Sequence, residues 1–167
     1  MPDAELLGNY SIMERDLFAL ELDAPEAFPG TLRLSSPRFA CLVAWDARGV
    51  EATRIAQFAR KLLDAGAVYV CTWGPDCERV HDIVDDEEIG PNPPPAVDRV
   101  VMTTWHANES LAEALWFVLH NSWPDEAYES GCASTLGVAI ASAQWASEIR
   151  DAFSRPREFS AQVLGST

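Results

Sequence analysis

Three times in this chain a short apolar run ends in tryptophan and then turns helical. The runs are FACLVAW at 39–45, AVYVCTW at 67–73 and RVVMTTW at 99–105. A fourth, TLGVAIAS at 135–142, stops just before Trp145. Continuous apolar runs of this length suit strands buried on both faces, which is how a parallel sheet reads in sequence.

Helical patterns fill the gaps between the runs. Residues 50–65 place Ile55, Phe58, Ala59, Leu62 and Leu63 at helical spacing, and Gly66 supplies the stop. The second helix is predicted to run to about Glu88, with Gly74 as cap and Pro75 at its first position. Cys77, Val80, His81 and Val84 share its inner face. Ser110 and Glu113 have capping-box spacing, so the third helix starts near Leu111. Its sequence LAEALWFVLH is apolar almost all round and reads as a buried helix, ended by His120. A last helix covers about 143–153, with Trp145, Ile149 and Phe153 inward.

Strand–helix–strand alternation predicts an α/β fold with three layers, a mostly parallel sheet between helices. Counting the four apolar runs as strands one to four, the expected order is 2-1-3-4, flavodoxin-like or Rossmann-like. A crevice would then open at the carboxyl ends of strands one and three, where the chain direction reverses. The α/β core is expected over 37–155. Residues 1–36 form an N-terminal extension, in which LFALEL at 17–22 and TLRLSS at 31–36 supply further edge strands or a hairpin. GPNPPP at 90–95 reads as a stiff surface connector, and 156–167 as a loosely held tail.

Charge narrows the partners. The formal net charge is -14, which repels nucleic-acid backbones and favours a basic protein partner. No apolar run approaches the roughly 20 residues of a membrane helix. The acidic start MPDAELLGNYSIMERD lacks a basic segment followed by an apolar one, so the expected setting is the bacterial cytoplasm. Cys41 and Cys71 fall inside predicted strands, where thiols are buried hydrophobes. With Cys77 and Cys132 they form no CxxC pair, so neither disulfides nor a structural zinc is expected.

The familiar catalytic signatures are missing. WDARGVE after the first strand has one glycine, so no dinucleotide loop is present. No GxxxxGK[ST], GxSxG or HExxH occurs. No cofactor is expected. The first reading is therefore an accessory binding or protein-interaction module.

A second reading places a planar, nucleotide-like small molecule in a cleft at the strand exits, as binder or hydrolase. Trp45, Trp73 and Trp105 would form its walls, with Asp76, Asn108 and Glu109 as polar contacts. His106 would act as general acid or base, and Asp46 would orient it or hold a ribose. A third reading uses Cys77 and His81, four apart on one helical face, as a thiol or metal pair. The competing explanation for each of these residues is ordinary core packing or helix capping.

Overall fold

The sequence folds around six strands, seen in a computed structural model that describes residues 2–90 and 100–165. They are β1 (Glu5–Tyr10), β2 (Arg15–Leu22), β3 (Arg38–Ala44), β4 (Ala67–Trp73), β5 (Met102–Trp105) and β6 (Cys132–Ile140). The helices are α1 (Ala52–Ala65), α2 (Cys77–Ile89), α3 (Leu111–His120), α4 (Ala143–Ser154) and α5 (Pro156–Gly165). The expected proline-rich connector lies largely in 91–99, outside the described residues.

The sheet order is β1-β2-β6-β3-β4-β5. β1 pairs antiparallel with β2, and every other pairing is parallel. The mixed α/β class with a mostly parallel sheet is as expected. The order is not. The four apolar runs stand as 4-1-2-3, because β6 lies against β3 and β5 lies at the edge. Burial explains the difference. β6 is apolar on both sides and almost wholly buried, so the centre suits it. β5 keeps only four paired residues, two of them threonines, and its outer side tolerates water. The chain therefore reverses between β3 and β6, not between β3 and β5.

The N-terminal and C-terminal segments also differ from expectation. β2 is an interior strand, parallel to β6 over Asp16–Leu22, and β1 forms the edge. Residues 31–36 form no strand. The segment after Pro156 is helical, and Phe159 packs against the core. α2 begins at Cys77, two residues beyond Pro75, with Asp76 in the cap position.

Helices cover both faces of the sheet. Ile55, Phe58 and Leu62 of α1 and Val80 and Val84 of α2 join Cys41, Val43 and Leu136 on one side. Leu115 and Val118 of α3 and Ile149 and Phe153 of α4 join Leu17, Leu42 and Cys71 on the other. Burying each such side chain contributes roughly 1.5–3 kcal/mol. α1 stops where the periodicity said, since Gly66 adopts φ 116° and donates to Leu62 and Leu63 carbonyls. Gly137 lets α4 approach β6 closely: a methyl there would lie 2.5 Å from Ile149 Cγ2.

Candidate functional site

The β-to-α turns gather at the carboxyl end of the parallel strands, and backbone bonds hold them to one another. Trp45 N–H donates to the Trp73 carbonyl at 3.0 Å, and Ala47 N–H to the Pro75 carbonyl at 3.1 Å. Gly74 makes that approach possible. It sits at φ 114°, with the position of a would-be Cβ only 2.3 Å from the Trp45 carbonyl oxygen. Arg79 completes the clamp. Its Nε meets Asp76 Oδ2 at 2.7 Å, and its Nη2 donates to the Ala47 and Val50 carbonyls at 2.7 and 2.8 Å.

Across from this clamp stands the turn after β5. The 73–78 and 106–109 turns enclose a cavity of about 480 Å³. Trp73 forms one wall, and its Nε1 donates to the Glu109 carbonyl at 2.8 Å. Asp76 and Asn108 hold left-handed backbones, φ 67° and 64°, which their short polar side chains tolerate. Behind them α3 starts with the capping box that its sequence predicts. Glu113 N–H donates to Ser110 Oγ at 3.1 Å, and Ser110 N–H to Glu113 Oε2 at 2.8 Å.

His106 is buried at the back of the cavity. Its Nδ1 lies 2.9 Å from Glu109 Oε2, and its Nε2 lies 2.9 Å from Thr104 Oγ1. With Nδ1–H donating to Glu109, Nε2 is left to accept the Thr104 hydroxyl. Phe117 of α3 packs on the ring with centroids 4.7 Å apart. The neighbouring threonine also meets a histidine, on the opposite face. Thr103 Oγ1 lies 3.0 Å from His81 Nε2 and donates to Asp85 Oδ1 at 2.6 Å. His81 Nδ1 lies 3.0 Å from Asp82 Oδ1.

These positions divide the expected site. Trp73, Asp76, His106, Asn108 and Glu109 border one cavity. Trp45 does not: it is buried beneath α1, edge-on to Phe58. Trp105 lies over His81 on the α2 side, half exposed, with ring centroids 4.6 Å apart. Trp73 turns to the other face, edge-on to Trp145 at 5.0 Å. Strand alternation thus parts the three expected walls. Asp46 does not orient His106 either. It is held by Arg48 Nε at 2.9 Å and Nη2 at 2.7 Å on the exposed rim, which keeps its carboxyl below the usual range. The cavity also lies beside the edge strand, away from the reversal point between β3 and β6.

The thiol reading meets an electrostatic obstacle. Cys77 borders the cavity, but burial pushes its thiol pKa up rather than down. His81 faces β5 and its own carboxylates instead. Among the described residues no three His, Cys, Asp or Glu side chains are grouped to hold a metal ion. All four cysteines are free and buried.

Sequence reading missed Glu109 as the partner of His106, though the three-residue spacing within HANE was its signal. It also missed the Arg79 clamp and the Thr104 contact. The polar rim is acidic: Asp76, Glu78 and Glu109 border the cavity, and among the described residues no lysine or arginine does.

Residues 17–156 match a family described as a domain of unknown function (DUF7684). No curated protein and no solved structure matches the chain. No described helix is long and apolar enough to cross a membrane.

Proposed function

The chain belongs to the DUF7684 family, and from that premise we propose an accessory binding module whose carboxyl-end cavity receives a basic side chain of a partner protein. The observation that carries this reading is the acidic rim, with Asp76, Glu78 and Glu109 around the opening and no lysine or arginine among its described lining. Arg79 answers only Asp76. Among the described residues Glu78 forms no ion pair, and the Glu109 carboxylate meets only the His106 ring, in a molecule of net charge -14. Trp73 adds an aromatic wall against which a guanidinium can lie. Phosphate-bearing ligands meet like charge here, which counts against a nucleotide.

His106 has a supporting part in this reading. Both its nitrogens are engaged, so it fixes the Glu109 carboxylate rather than offering a free lone pair. Titration of ¹⁵N-labelled protein with a short arginine-rich peptide tests the proposal. Shifts should concentrate at the Trp73 indole and the 74–78 and 107–109 amides, and Glu109→Gln should weaken them. Shifts spread evenly over the acidic surface would reduce the binding to nonspecific attraction.

One observation favours a second reading. Thr104, His106 and Glu109 form a hydroxyl–imidazole–carboxylate chain, the connectivity of an acid–base relay. A hydrolase or binder of an uncharged planar ligand would then use His106 against the Trp73 wall, with Glu109 in the orienting place. It requires His106 Nε2 to exchange Thr104 for substrate. Loss of turnover in Glu109→Gln, a variant that keeps the fold, would favour this reading over the first.

A further inference from the structure

At the opposite, amino end of the sheet lies a charge without a counter-charge. Arg15, the first residue of β2, is 2% exposed. Its Nη1 donates to Ser122 Oγ at 2.8 Å and to Thr135 Oγ1 at 3.4 Å, and its Nη2 to the Ser122 carbonyl at 2.8 Å. Its Nε has no hydrogen-bond partner. Among the described residues no carboxylate pairs with it. Arginine keeps its proton in proteins, so the site holds a buried cation. Such a cation costs several kcal/mol unless an anion answers it.

The geometry of the guanidinium tells which part is unanswered. Ser122 is gripped by the Nη1–Nη2 edge. The Nε edge is the other side of the fork, where Nε and the neighbouring Nη can take a carboxylate through two parallel bonds. Arg15 borders a cavity of about 320 Å³ between the start of β2, the start of β6 and the segment after α3. Met13 and Trp123 supply apolar wall to that cavity, and Trp123 is half exposed. Glu14 and Glu129 also border it without pairing with Arg15.

We propose that this amino-end cavity binds a small organic monocarboxylate, its carboxylate on the Nε edge of Arg15 and its apolar body against Met13 and Trp123. The two rim glutamates select the charge. A single negative charge is answered by Arg15, whereas a phosphate dianion brings a second charge towards Glu14 and Glu129. The apolar wall selects for a short hydrocarbon or aromatic body over an inorganic ion. Nε is itself shielded from water, so binding requires a rim side chain to move. The Trp123 indole is the natural reporter. This site is independent of the acidic cavity at the other end of the strands.

Benzoate, hexanoate and inorganic phosphate serve as probes on the full chain. Benzoate and hexanoate at millimolar concentration should raise the melting temperature and shift the Trp123 indole ¹⁵N–¹H resonance, and phosphate should do neither. Arg15→Met should abolish both responses, at some cost in stability because it leaves the buried Ser122 carbonyl without its donor. Trp123→Ala, on the exposed rim, should fold normally and weaken benzoate by about tenfold. Glu129→Gln should tighten it. If Arg15→Met fails to fold, the last two variants carry the test. The proposal is overturned if wild type ignores benzoate, if Arg15→Met still responds, or if neither rim variant alters the response.

Discussion

Glu109 Oε2 lies 2.9 Å from His106 Nδ1, so a carboxylate at the cavity mouth is held from behind by a buried ring. Replacing each partner should separate site from scaffold. Glu109→Gln keeps a hydrogen-bond acceptor and removes the charge. Its free energy of unfolding in urea should stay within about 0.5 kcal/mol of wild type, as for other surface changes. Its affinity for an arginine-rich peptide should fall about 3- to 10-fold at low salt, read by calorimetry.

His106→Ala should behave differently. It leaves Thr104 and Glu109 without their partner and opens space beside Phe117. A loss of roughly 2–4 kcal/mol in urea unfolding is expected. A smaller loss would mean that the ring is not the buttress its contacts indicate.

Gly74→Ala tests the clamp between the first two turns. The backbone there has φ 114°, and the new methyl would meet the Trp45 carbonyl oxygen. Relief requires the 73–78 turn to withdraw from β3. The cost should exceed about 2 kcal/mol in chemical unfolding.

Ser110→Ala removes one half of the α3 capping box at an exposed position. The loss should be about 1 kcal/mol with an unchanged denaturant slope, because the core is untouched.

One ion pair gives a pH signature. Hydrogen bonds from Arg54 pull the Glu26 carboxyl from the usual 4.5 down to about 2. A depressed folded pKa adds stability that is fully present above the unfolded value and is lost as pH falls through the folded one. Its window therefore runs from 4.5 down to about 2. In Arg54→Ala, NMR titration of Glu26 should return to the ordinary carboxylate range. The melting temperature at neutral pH should move little, since the pair is solvent-exposed.

Local structure was legible because period and punctuation agree. Ile55, Phe58, Ala59 and Leu62 are buried as their spacing implied, and Ser110 with Glu113 caps α3. Strand order was not legible. An apolar run says that a strand is buried, not on which side of its predecessor the crossover returns it. β1 was missed because ELLGNY has no clean alternation and carries a register shift between Leu6 and Gly8. α5 was missed because Pro156 reads as a stop, although it also suits the first turn of a new helix. At the site, the shared Trp motif misled. The residues end equivalent strands, but pleat and register send Trp45 and Trp105 to one face and Trp73 to the other. Arg15 was hidden for a further reason: burial without a counter-ion leaves no mark in a sequence.

Consecutive threonines on β5 reach histidines on opposite sides of the sheet, Thr103 to His81 and Thr104 to His106. A slip of one residue would send each hydroxyl to the wrong side and leave both rings unmatched. Among the described residues the edge strand has no outer neighbour to correct its alignment. Its register is instead written twice, once above and once below, like a key cut on both edges.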